Sequence, residues 1–268
     1  MKIITADERL AERGAPKILI GGRSGVGKTS LLRTLNPETT LFWDLEAGDL
    51  SVRDVPVDSV RARTWKECRD LACFLGGANP NLTEDKVYGA AHYEHVVSEF
   101  GDDGQLDKYR TYFVDSITVA ARLCLVWAQQ QPEAYNAQGA PNLLGAYGLL
   151  GREMISWITQ LQHAKTKNVV MVGVLEETVD DFKRSFWGLQ IDGQKAAKEI
   201  PPIVDEVIAL HMVTFDGDDA PTRVFLCSPD VGNAHIKGTF PIKDRSGKLD
   251  PYEPPHLGDL IRKLGGEA

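Results

Sequence analysis

The sequence predicts an α/β fold, a mainly parallel sheet flanked by helices with an antiparallel hairpin extension near the C-terminus. Three observations point there. A glycine-rich loop, Gly22-Arg23-Ser24-Gly25-Val26-Gly27-Lys28-Thr29, follows directly on the apolar run Ile18-Leu19-Ile20. Short apolar runs then alternate with amphipathic stretches across residues 17–213, the pattern of strand-helix-strand units. Finally, an Asp216-Gly217-Asp218-Asp219 turn separates two further apolar runs closely enough to join them as a hairpin.

In chain order, a first strand is expected over 17–21 and its helix over about 28–35, where Asn36-Pro37 ends it. A second strand covers 40–45. A helix over 65–75 is broken by Gly76-Gly77-Ala78-Asn79-Pro80-Asn81, and another amphipathic stretch runs over 88–100. The third strand, 111–114, ends in Asp115-Ser116 and feeds a helix reaching about 130. A further helix over 143–163 leads to a fourth strand over 168–175. Residues 176–202 read as a long non-apolar connection before strands at 206–213 and 223–227, and Pro254-Pro255 precedes a last helix over 257–264. One domain is expected over 1–268, with an N-terminal extension (1–14), a core (15–215) and C-terminal strands with a short helix (216–268).

The loop carries the strongest chemical signal. A turn between strand and helix that wraps a polyphosphate in backbone N–H groups needs residues without side chains, which Gly22, Gly25 and Gly27 provide. Lys28 then reaches the β- and γ-phosphates and the Thr29 hydroxyl ligates a magnesium ion. The nucleotide-binding set is therefore Gly22, Arg23, Ser24, Gly25, Val26, Gly27, Lys28, Thr29 and Ser30, with a nucleoside triphosphate and Mg2+ as the implied cofactors. In an open parallel sheet the ligand lies beyond the carboxyl ends of the strands, so polar residues there are the next to consider. Asp115 stands at such an end as a magnesium-organising acid, helix capping being the other use of an Asp-Ser pair. Glu46 ends the second strand and is the candidate that polarises the attacking water, the alternative being a solvated loop glutamate. Asp44, two residues earlier on the same face, could share that role.

Composition limits the alternatives. At 268 residues, 43% apolar and 25% charged, the chain can bury a three-layer core. The longest apolar run, 169–175, is too short for a bilayer, so no membrane partner and a cytoplasmic location are expected. Cys68, Cys73, Cys124 and Cys227 form no Cys-x-x-Cys pair and read as buried free thiols. The Asn-Lys-x-Asp guanine signature is absent. A net charge of -8 argues against indiscriminate nucleic-acid binding, although Arg61, Arg63, Lys66 and Arg69, and later Lys237, Lys243, Arg245 and Lys248, form local basic clusters.

The phosphate loop, Asp44-x-Glu46, Asp115-Ser116 and Lys243-Asp244-Arg245-Ser246-Gly247 follow one another in the order seen in RecA-like recombinases and ring helicases. From residue 17 to 264 the chain most closely resembles phage-encoded RecA-core ATPases of the single-strand annealing type, nucleotide-binding proteins with an AAA domain. The resemblance implies a RecA-like P-loop NTPase core that hydrolyses ATP at the interfaces of a homo-oligomer, binds single-stranded DNA and promotes annealing or homologous recombination. It further implies work in the host cytoplasm beside a single-strand-binding protein. Carried across position by position, it gives catalytic roles to Lys28 and Glu46 and a magnesium role to Thr29 and Asp115. Lys243 and Arg245 become cations reaching a neighbour's γ-phosphate, where the residues alone allow a plain basic turn. One position departs: Leu175-Glu176-Glu177 stands where a glutamine or a His-Glu pair is found, which leaves the γ-phosphate sensor unassigned.

The resemblance also implies DNA-facing loops at about 131–144 and 178–202. The second carries Lys183, Arg184, Phe186, Trp187, Lys195 and Lys198, a mixture of cations and rings suited to single-stranded DNA. An aromatic pair such as Phe186-Trp187 is more often a packing anchor or a subunit contact.

Overall fold

The computed structural model describes residues 3, 5–11, 14–179, 182–183, 185–236 and 240–267. The elements are α1 (Ala6–Ala11), β1 (Lys17–Gly22), β2 (Thr40–Asp44), β3 (Asp58–Arg61), α2 (Trp65–Gly76), α3 (Ala90–Phe100), β4 (Thr111–Asp115), α4 (Ile117–Ala128) and α5 (Leu143–Gln162). They continue with β5 (Asn168–Val179), β6 (Ser185–Leu189), α6 (Gln194–Ile203), β7 (Glu206–Val213), β8 (Thr222–Leu226), α7 (Pro229–His235), β9 (Lys243–Asp244), β10 (Tyr252–Glu253) and α8 (Leu257–Leu264).

The sheet runs β10-β8-β7-β1-β5-β4-β2-β3, parallel from β7 through to β3, with β8 and β10 added antiparallel. The expected α/β architecture, mainly parallel with antiparallel strands toward the C-terminus, is therefore observed. Because side chains alternate across a strand, each central strand feeds two cores. Ile18 and Ile20 face the layer holding Leu31, Leu32, Leu257 and Ile261, whereas Leu19 faces α2, α4 and α5. On that second side Trp43, Trp65 and Trp157 meet with ring centroids 5.4 and 5.8 Å apart, and the Trp157 indole donates to the Cys68 carbonyl. Helix α2 starts where Thr64 and Glu67 cap each other reciprocally, as the spacing Thr-x-x-Glu allows. All four cysteines are free and buried. Among the described residues no helix is long and apolar enough to cross a membrane.

The differences from expectation are local. The segment after the phosphate loop is helical but winds as a 3-10 helix over Thr29–Thr34. Only six residues separate Lys28 from Leu35, and Pro37 then holds Asn36 extended, so the coil has little room to propagate. The Leu257 amide also donates to the Thr34 hydroxyl, pinning the coil to α8. Residues 176–202, expected as a connection, hold three structured pieces: the end of β5, its antiparallel partner β6, and α6. Ala196, Ile200 and Ile203 lie at i, i+4 and i+7 and marked that helix; Pro201 and Pro202 in its last turn obscured it. The edge strand β3 is mostly exposed and polar, and so gives no apolar signal. Its neighbourhood also accounts for the first basic cluster. Arg61 pairs with Asp44, Lys66 with Asp70 and Arg69 with Glu153, which neutralises three of its four cations, while Arg63 Nη1 donates to the Asp44 carbonyl. In the second cluster Lys237 lies outside the described residues.

Candidate functional site

β1 carries the chain to the carboxyl edge of the sheet between β5 and β7, where residues 22–29 turn back into the 3-10 helix. Gly25 and Gly27 adopt φ of +77° and +95°, a region that side chains disfavour. The backbone N–H groups of Gly25, Gly27 and Lys28 make no hydrogen bond among the described residues. Unpaired amides grouped on a tight loop form an anion-binding concavity, so the loop fits a polyphosphate. The Lys28 Nζ donates to the Gly22 and Arg23 carbonyls at 3.0 Å each, spanning the loop from within. Burial pulls its pKa down while Asp115 and Glu46 hold it up, which places both acids in its field.

The Thr29 hydroxyl donates to Asp115 Oδ2 at 2.5 Å, so the two expected magnesium residues meet although they lie 86 positions apart in sequence. A hydroxyl and a carboxylate at that separation are hard oxygen donors that could hold a magnesium ion, whose other positions water and phosphate would fill. Among the described residues no group of three or more His, Cys, Asp or Glu side chains is placed to hold a metal ion. The helix-capping use of Asp115-Ser116 falls to Ser116, whose Oγ accepts from the Val119 amide; Asp115 is left to the site. The same Ser116 hydroxyl donates to Glu46 Oε1 at 2.6 Å and holds that exposed carboxylate beside the loop. Asp44 does not share its position: its side chain is 2% exposed and its Oδ2 lies 3.2 Å from Arg61 Nε.

Burial pushes the Asp115 carboxyl up to about 6; the Thr29 hydrogen bond opposes this, and nearby Glu46 adds to it. An acid whose pKa is raised by folding takes up its proton more readily in the folded protein. Its contribution to stability therefore declines as pH rises from about 4 to about 6, and above that the full cost of the buried charge stands, up to about 3 kcal/mol. A magnesium ion favours the charged form and reverses the preference. Magnesium-nucleotide binding near pH 6 is therefore expected to expel about half a proton from Asp115, and almost none at pH 8. Calorimetry in buffers of different ionisation heat measures the release, with Asp115→Asn as the reference; equal release from both proteins at pH 6 would contradict the assignment.

The remaining candidates lie elsewhere. Lys243 and Arg245 stand at the start of β7, the sheet end opposite the phosphate loop of their own chain. There Lys243 Nζ donates to the carbonyls of Pro201, Pro202 and Val204 at the end of α6, and Arg245 pairs with Asp205 at 2.9 Å. The Arg245 and Ser246 amides donate to Glu206, which knits Lys243-Asp244-Arg245-Ser246-Gly247 into a fixed turn. Glu176 and Glu177 pair with Gly188 and Trp187 in the β5–β6 hairpin, and Glu176 accepts from the Gln190 amide. Phe186 and Lys198 line one crevice between β6 and α6, whereas Lys195 is exposed on α6. Trp187 receives the Arg23 guanidinium on its ring face, 4.2 Å from the centroid. Lys183 is exposed near the hairpin tip, and Arg184 lies outside the described residues.

Sequence reasoning missed one residue beside the loop. Arg223 on β8 places Nη1 2.2 Å from where a Cβ on Gly27 would stand. Its only signal was a lone arginine at the head of a hairpin strand.

No curated protein matches the chain significantly. A family model described as an AAA domain matches residues 15–238, which span the sheet from β1 to β8 and every phosphate-loop residue. With most of its length matched and the loop in the geometry that nucleotide binding requires, the chain belongs to the AAA-domain family of P-loop NTPases.

Proposed function

We propose that the protein is a magnesium-dependent ATPase that binds single-stranded DNA as a homo-oligomer and promotes annealing or recombination. The family supports nucleotide binding and ATPase chemistry in general. In this reading Lys28 and the loop amides hold the phosphates, Thr29 and Asp115 fix the magnesium ion when it is bound, and Glu46 orients the attacking water. The observation that carries the DNA reading is the stacking of Arg23 on Trp187. It joins the phosphate loop directly to the hairpin that presents Lys183 and Phe186, so that strand binding at the hairpin and the state of the loop are mechanically linked. Arg245 is the one of the two distal cations with reach toward a neighbouring copy, since its side chain is 51% exposed while Lys243 is spent on three carbonyls of its own chain.

Turnover measured at low salt with and without a single-stranded oligonucleotide, together with particle size, tests this. Stimulated hydrolysis and a larger assembly are expected when nucleotide and oligonucleotide are both present, and Arg245→Ala is expected to abolish the stimulation. An ATP-dependent change of size without DNA affinity would replace the reading with that of an assembly module. Turnover indifferent to DNA would overturn the annealing role.

A further inference from the structure

The phosphate loop has different neighbours on its two sides. On the β4–β2 side stand Asp115 and Glu46, the acids assigned to the magnesium ion and the attacking water, and these belong with the terminal phosphate. The other flank is formed by β7 and β8. Gly22 is level with Leu210 on β7, and Met212, two residues further on, is level with Arg223 on β8, so Arg223 overhangs the edge where the loop leaves β1. Its guanidinium packs against Gly27 so closely that a methyl group there would overlap Nη1. The side chain is partly buried, yet among the described residues it makes neither a hydrogen bond nor an ion pair. The contrast with Arg33, Arg69, Arg245 and Arg262 is clear, because each of those holds a carboxylate. A guanidinium cannot shed its charge, and one withdrawn from water without a counter-anion is unfavourable until an anion arrives.

We propose that Arg223 is a nucleotide-binding residue supplied by the chain's own hairpin, which grips the diphosphate portion common to ATP and ADP. This rests on the nucleotide-binding reading above and adds to it a division of labour. The β4–β2 flank handles the bond that is cut, and the β8 flank holds the part that stays. The planar fork of donors suits phosphate oxygens, and no neighbouring subunit is needed to provide it.

The test is titration of MgATP and MgADP into the wild type, Arg223→Ala and Arg223→Lys, with melting curves of the nucleotide-free proteins. Arg223→Ala is expected to weaken both nucleotides by the same factor, about ten- to a hundredfold, with the loss in KM rather than kcat. Arg223→Lys should recover part of the loss, and neither change should lower the nucleotide-free melting temperature. Weakening of MgATP alone, or a fall confined to kcat, would place the residue at the terminal phosphate and overturn the proposal. Unchanged affinities would also overturn it, as would a lowered nucleotide-free melting temperature that accounts for the loss. A wild type that binds neither nucleotide would instead reject the nucleotide-binding reading itself.

Discussion

Glu46→Gln is expected to leave MgATP affinity within a few-fold of the wild type and to reduce turnover by about 100- to 10,000-fold. The argument begins with what the substitution keeps. A glutamine has the same shape, and its amide oxygen can still accept the Ser116 hydroxyl that now holds Glu46 Oε1 at 2.6 Å. The side chain therefore remains at the end of β2, and the phosphate loop has no reason to shift. What disappears is a negative charge able to polarise a water molecule and take its proton. Single-turnover kinetics with matched binding curves separates the two effects. A variant that hydrolyses at the wild-type rate would return Glu46 to the status of a solvated loop residue, and the water-positioning role would have to be sought elsewhere.

Lys28→Ala is expected to weaken MgATP binding by 100-fold or more, on the order of 3 kcal/mol, the size of one or two charge-assisted hydrogen bonds to phosphate. The ammonium is already held over the loop by the Gly22 and Arg23 carbonyls, so little is lost in ordering it when a phosphate arrives. Its removal also takes away the cation that opposes the raised pKa of Asp115. The Asp115 carboxyl is then expected to titrate higher still, which weakens magnesium retention through a second route. Fluorescent-nucleotide displacement reports the affinity, and NMR titration of the nucleotide-free variant reports the carboxyl. Wild-type affinity in Lys28→Ala would mean that the loop is not where the triphosphate sits.

The phosphate site was legible in the sequence because its chemistry is local or lies at strand ends. Glycines at 25 and 27 announce positive φ, and Asp115 and Glu46 follow apolar runs whose parallel pairing brings them to one edge. Parallel strands buried on both faces read as uninterrupted apolar segments, which is why β1, β4, β5 and β7 stood out. Edge strands carry no such mark: β3 is polar and β9 and β10 are two residues each, held by their neighbours more than by their own composition. Arg223 could not be found this way at all. Its proximity to Gly27 depends on the register of β7 on β1 and of β8 on β7, two long-range alignments that no short motif encodes. The partners that Lys243 and Arg245 take within their own chain, Asp205, Glu206 and the end of α6, are likewise not announced by their motif.

Calorimetric titration of MgATP into the wild-type protein tests the central claim most directly. One saturable site per chain is expected, weakened when magnesium is chelated. The absence of saturable binding up to millimolar MgATP would contradict it.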